Sequence, residues 1–115
     1  MIRLVKKAAQ RGEHWQHKVG AVIIKNGKPI SFGYNSYKTH PLMGNLKTLH
    51  AEVCAIIRVQ HKIDLTGCTM IIFREHKDGS NAMSKPCPIC ERIIKEFGIV
   101  KIIYSTEGGW NEQSF

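Results

Sequence analysis

The apolar residues of this chain recur with two different periods. In IRLVKKAAQR, Ile2 to Arg11, they fall at helical spacing, which predicts a first helix closed near Gly12. HKVGAVIIK and KPISFGYN carry apolar residues at alternate and adjacent positions and are joined by Asn26-Gly27, a strong hairpin signal, so both read as strands. The adjacent apolar positions imply that at least one of them is covered on both faces. LHAEVCAIIRVQHK returns to the helical period, with Thr48 a candidate N-cap. CTMIIFRE and IVKIIYS read as further strands. PCPICERIIKEF between them reads as a third helix, with Pro88 in its first turn and Gly98 at its C-terminal cap. SYKTHPLMGNLKT and HKDGSNAMSK read as loops, and the tail TEGGWNEQSF shows no periodicity.

The order α-β-β-α-β-α-β predicts an α/β domain, a mixed sheet of about four to five strands with helices packed on it. The 115 residues suit one domain, residues 1–115. A hydrophobic share of 43% supports a packed core rather than disorder. No apolar run approaches the roughly 18 residues that would span a membrane. The basic N-terminus has no continuous apolar stretch of the signal-peptide kind, so a cytoplasmic location is expected. A core this small with apolar helices is expected to self-associate as a homo-oligomer.

Charge adds a partner class. Lys and Arg number 17 against 9 Asp and Glu, a formal net charge of +8. That favours an anionic partner, either a nucleotide phosphate or nucleic acid, with solubility as the simpler account. Lys38, Lys47, Arg74 and Lys85 bracket the expected mouth of a site.

The cysteines add chemistry. Cys54 and Cys68 sit in apolar runs and read as small buried hydrophobes, whereas Cys87 and Cys90 form a CxxC at a helix start. There the spacing puts both sulfurs on one face, and unpaired N–H groups favour thiolates. CxxC alone fits either zinc or dithiol redox chemistry. A thioredoxin-like protein would carry it near the N-terminus, not after three strands. With only one CxxC, a structural four-cysteine site is not available, but one histidine would complete a catalytic Cys2His set. His50, at the start of the second helix, is the candidate ligand. Glu52 then suits a proton shuttle beside a metal-activated water. His14 and His17 stand at ligand spacing without an evident third partner and read as solvated, and His40 lies in a loop near the expected site.

His50-Ala51-Glu52 followed by Pro86-Cys87-Pro88-Ile89-Cys90 resembles the H-x-E…P-C-x-x-C signature of the zinc-dependent cytidine and deoxycytidylate deaminase superfamily. The resemblance runs from VGAVIIKNGKPISFGYN through YST. It implies a three-layer cytidine deaminase-like fold and a zinc ion held by His50, Cys87 and Cys90. It also implies Glu52 as the catalytic proton shuttle, and Asn35 and Ala51 as substrate-binding residues. The reaction implied is hydrolytic deamination of a free nucleotide or nucleoside resembling dCMP or cytidine, at C4 of the cytosine, with release of ammonia. A polynucleotide cytosine or adenine deaminase is the alternative, and a non-catalytic zinc-stabilised module the third reading. The dozen residues REHKDGSNAMSK, ahead of the PC motif, and the short ending depart from many relatives. Trp110, in the tail, is a candidate for stacking on a base, against the simpler reading that it packs on the sheet.

Overall fold

The computed structural model describes residues 1–13, 17–44 and 48–115. α1 (Ile2–Gln10) leads into β1 (Lys18–Lys25) and β2 (Lys28–Tyr34), followed by α2 (Ala51–Val59) and β3 (Thr69–Glu75). β4 (Asn81–Ala82), α3 (Pro88–Glu96), β5 (Lys101–Thr106) and β6 (Gly109–Ser114) complete the chain. The sheet runs β2-β1-β3-β5-β6, with β4 paired to β3 off this path. β3 and β5 are parallel, and the other pairings are antiparallel. The mixed sheet is as expected from the sequence, but it has six strands rather than four or five.

The strand count differs because both extra strands are local hairpin partners without an apolar period of their own. β4 folds back on β3 across Asp78-Gly79, with Asp78 Oδ1 accepting from Ser80 N at 2.9 Å. β6 returns along β5 through the Glu107-Gly108 turn, pairing Lys101 with Ser114 and Thr106 with Gly109. Backbone pairing thus shapes a tail whose side chains give no periodic signal. Trp110 lies on β6 and stacks on Phe73, with ring centroids 5.9 Å apart, so packing on the sheet accounts for it.

The near-continuous apolar strands are covered on both faces. Ala21 and Ile23 of β1, Met70 and Ile72 of β3, and Ile102 of β5 pack into one core with α2 and α3. Val22, Ile71 and Phe73, which alternate with them, form a second core with Val5 and Ala9 of α1. Period-two alternation places consecutive residues on opposite faces, so both must be apolar in a three-layer arrangement. The β1–β2 turn follows the sequence expectation. Asn26 and Gly27 both have positive φ (52° and 77°), as a tight hairpin with right-handed twist requires. Among the described residues no helix is long and apolar enough to cross a membrane.

α2 starts later than expected. Thr48 is not its cap: Leu49 forms an isolated bridge to Ser36, and His50 is the N-cap residue, extended at φ −72° and ψ 151°. The bridge holds the chain extended up to His50, so the helix begins at Ala51. α3 follows the expectation closely, with Cys87 as N-cap, Pro88 in the first turn, and Gly98 at φ 84° just past the end. The expected loop after β2 contains a 3-10 turn, Pro41–Met43, whose first free amide, Leu42 N–H, donates to His40 Nδ1 at 3.1 Å. His40 is thereby a cap of that turn.

Candidate functional site

Both halves of the sequence motif sit at helix starts, and the fold brings the two starts together. His50 is the N-cap of α2, Cys87 the N-cap of α3, and Cys90 lies in the first turn of α3. His50 Nδ1 lies 3.2 Å from Cys90 Sγ and 3.7 Å from Cys87 Sγ. The ligand atoms of these three residues all lie within 4.8 Å of one another. The side chain of Cys87 folds back so that its sulfur accepts from Cys90 N at 3.5 Å. The His50 side chain makes no capping bond to its own helix, which leaves its ring to face the sulfurs.

The donor set fits zinc. Two thiolates and an imidazole suit a borderline-soft cation, and a tetrahedral zinc with ordinary bond lengths sets sulfur and nitrogen ligands about 3.5 Å apart. The observed 3.2 and 3.7 Å straddle that separation. The electrostatics point the same way. Burial pushes the Cys90 thiol up, and the neighbouring Glu52 and Cys87 push it further. Burial also lowers His50. A divalent cation at this point would relieve the mutual repulsion of the anionic groups, and the positive ends of two helices contribute in the same sense.

Glu52 is in the first turn of α2 and only 5% exposed. Burial raises its carboxyl to about 7, opposed by a backbone hydrogen bond and by a bond with the Cys90 side chain. A carboxyl near neutrality can both take and return a proton at physiological pH. It lines the same cleft as His50 and Cys87, so the ligand and carboxylate roles separated by i, i+2 spacing still meet in one space.

That cleft has a volume of about 410 Å³. Two walls enclose it. The helix-built wall carries His50, Ala51, Glu52 and Cys87, and the strand-built wall carries Val19, Asn35 and Arg74, with His17 and Lys85 beside them. Ala51 is fully buried and is the first helical residue of α2, where backbone N–H groups have no intrahelical acceptor. The Asn35 side chain is held by backbone: Oδ1 accepts from Val19 N at 3.0 Å, and Nδ2 donates to His17 O at 2.6 Å. One N–H and one acceptor lone pair of the amide remain for another partner.

Other residues singled out from the sequence fall elsewhere. Lys38 is exposed and is not among the described residues lining the cleft; Lys47 and His14 lie outside the described residues. Cys54 and Cys68 are core, at 6% and 1% exposure, and stand outside the ligand cluster. Met83 and Ser84 line the cleft without having been marked for that position by any motif. Ser84 arrives through β4, whose formation from the apparent loop had no periodic signal.

A family model for the cytidine and deoxycytidylate deaminase zinc-binding region matches residues 1–106. The chain belongs to this family. Among its relatives, a deoxycytidylate deaminase of Mycobacterium phage D29 is 27% identical, over 92% of this chain and 91% of its own length. A deaminase from the luxG 3′ region of Aliivibrio fischeri is 35% identical over 74% of this chain. A tRNA-specific adenosine deaminase of Aquifex aeolicus is 31% identical over 90% of it. The family member described here spans 56% of the Aliivibrio protein and 60% of the Aquifex protein. Its fold is that of the dCMP deaminase of cyanophage S-TIM5, with a TM-score of 0.70 at 24% identity, covering 90% of this chain and 77% of that one. The three-layer architecture read from the motif is therefore the architecture of the family.

Proposed function

We propose that this chain catalyses the zinc-dependent hydrolytic deamination of a cytosine nucleotide or nucleoside to the uracil product and ammonia. The observation that carries the reading is the buried Glu52 beside the His50, Cys87 and Cys90 cluster in a cleft of nucleotide size. A purely structural metal site has no use for a buried carboxylate poised near neutrality.

His50 through Nδ1, with the Cys87 and Cys90 sulfurs, would hold the metal, which supplies Lewis acidity toward a water molecule. Glu52 takes a proton from that water as the C4–O bond forms and delivers one to N3 of the cytosine. It then carries the second to the leaving amine as the C4–N4 bond breaks, so cytosine and water become uracil and ammonia. The unpaired N–H groups at the start of α2, Ala51 among them, suit the base carbonyl, and the remaining amide capacity of Asn35 suits the sugar or base.

The phage deoxycytidylate deaminase, matched over nearly the full length of both chains, supports a monomeric cytosine substrate. A second reading, deamination within a polynucleotide, is favoured by the similarity to the tRNA-specific enzyme and by the +8 charge. Ammonia release from zinc-loaded protein separates the two, using dCMP, CMP, their nucleosides, and cytosine- or adenosine-containing single strands. Highest kcat/KM on a cytosine monomer is expected. Turnover confined to the strands, with a steep salt dependence, would replace the first reading by the second.

A further inference from the structure

We propose that the strand-built wall of the cleft is a site for a terminal phosphate monoester, and that Arg74 is the residue that selects a 5′-nucleotide over its nucleoside, assisted by Lys85. The inference rests on the deaminase reading and specifies its substrate class. Among the described lining residues the only acidic side chain is Glu52, which is buried against Cys90, whereas Arg74 and Lys85 are both cationic. Apart from Glu52, the charged side chains lining the cleft are thus both cationic.

Arg74 is held as a recognition group rather than a solvated one. It lies next to the last residue of β3, paired with Val19 on one side and Ala82 on the other, and is half-buried. Its Nη2 contacts His17 Nδ1, which fixes the plane of the guanidinium. Its Nε is shielded from solvent and has no hydrogen-bond partner among the described residues. The ion pairs among those residues are His76–Glu107 and Lys101–Glu112, so no described carboxylate neutralises it. A partly desolvated guanidinium with an unused donor is costly until an anion meets it, and its planar fork matches two phosphate oxygens. Lys85 supplies a compact second charge, and its backbone is tied to the metal half-site because it directly precedes Pro86-Cys87. Two cations lining one cleft suit one dianionic group. A strand would need a track of contacts, and Arg11, Arg58 and Lys6 instead sit over the rings of Phe32 and Phe73.

Calorimetric titration of zinc-loaded protein with dUMP and with deoxyuridine tests this without turnover. One charge-assisted contact corresponds to about ten- to a hundred-fold in affinity, so wild type is expected to bind dUMP at least about ten-fold more tightly than deoxyuridine. Arg74→Gln should lower that ratio by about ten-fold or more, Arg74→Lys should recover part of it, and Lys85→Gln should lower it a few-fold. With dCMP as substrate the Arg74 loss should appear in KM more than in kcat. Equal binding of dUMP and deoxyuridine by wild type overturns the proposal. So does an unchanged ratio in Arg74→Gln, or tighter binding of a single-stranded cytosine oligonucleotide with a log-log salt slope of several. Should Arg74→Gln fail to fold, inorganic phosphate decides: competition with dUMP in wild type that weakens in Arg74→Lys supports the site, and its absence overturns it. A dUMP preference in a protein that fails to turn over dCMP would overturn the deaminase reading and leave the phosphate site standing.

Discussion

The two walls of the cleft are built by different means. The helix-built wall takes its chemistry from two short motifs, each at the first turn of a helix, where a few consecutive residues fix the positions of the ligand side chains. His50 and Cys87 are both N-cap residues, and Cys90 follows within one turn. The strand-built wall has no such unit. Val19, Asn35, Arg74 and Ser84 come from β1, the residue after β2, β3 and the segment after β4, and pairing between distant segments brings them together. Local geometry encodes the metal wall, whereas long-range register encodes the other. Substitutions on the two walls should therefore fail in different ways.

The largest effect is expected at Cys90. Cys90→Ala removes a buried member of the proposed ligand set and should abolish metal retention and turnover together, with a lowered melting temperature because metal binding contributes to folding. Metal analysis of protein purified without chelator checks it; a full equivalent of zinc in the variant would break the assignment of the ligand set. Glu52→Ala should separate the functions on the same wall. Zinc content should stay near one equivalent while kcat falls by about 10²–10⁴-fold, the usual contribution of a positioned acid–base group. Near wild-type turnover in that variant would remove Glu52 from the mechanism.

The same contrast explains what the sequence made legible. The helical period, the Asn26-Gly27 turn and the doubly apolar strands are short-range signals, and each described a real element. The HAE and PCPIC motifs marked His50, Cys87 and Cys90, which the fold gathers into a cluster that could hold a metal, because ligand spacing on a helix start is also short-range. β4 and β6 were not visible, since neither Asn81-Ala82 nor Gly109–Ser114 carries an apolar period; both exist because a neighbouring strand offers an edge. The start of α2 was misplaced because the Ser36–Leu49 bridge, thirteen positions apart in the sequence, decides where the chain stops being extended. For the same reason Lys38 and Arg74 were indistinguishable as charges, and only the fold places Arg74 on the cleft.

A smaller effect on turnover is expected where a strand meets the helix-built wall. Gly33 of β2 packs against α2 so closely that an added Cβ would lie 2.4 Å from Ala51 O and from Ala55 N. Ser31 Oγ donates to Ala55 O at 2.8 Å on the same contact. Gly33→Ala should displace the first turn of α2, costing about 1–3 kcal/mol as an overpacking change. Urea unfolding measures the cost, and a several-fold loss of kcat should accompany it because Ala51 and Glu52 move together. An unchanged stability would mean that α2 yields without strain, and the metal wall is less rigid than its two helix starts suggest.

The smallest effect on the metal wall should come from Ser105, which supports the strand-built wall alone. Ser105 is fully buried; its hydroxyl donates to Ala82 O at 2.7 Å and accepts from Arg74 N–H at 3.1 Å. The Ser84 hydroxyl lies 2.9 Å away, accepts from Ser105 N–H at 2.8 Å and donates to Ile72 O at 3.0 Å. These bonds hold β3, the segment after β4, and β5 in one register at the point where Arg74 leaves the sheet. Ser105→Ala removes a buried partner of the Ala82 carbonyl and of the Arg74 N–H, at about 1–3 kcal/mol for lost buried partners. None of these atoms belongs to α2 or the start of α3, so zinc content should not change and kcat on a cytosine nucleoside should fall by no more than a few-fold. The preference for dUMP over deoxyuridine should fall with the loosened Arg74 backbone, and Ser105→Thr, which keeps the hydroxyl, should retain more of it. Loss of zinc in Ser105→Ala with the fold intact would show that the walls are mechanically one unit, and the division between local and long-range encoding would have to be abandoned.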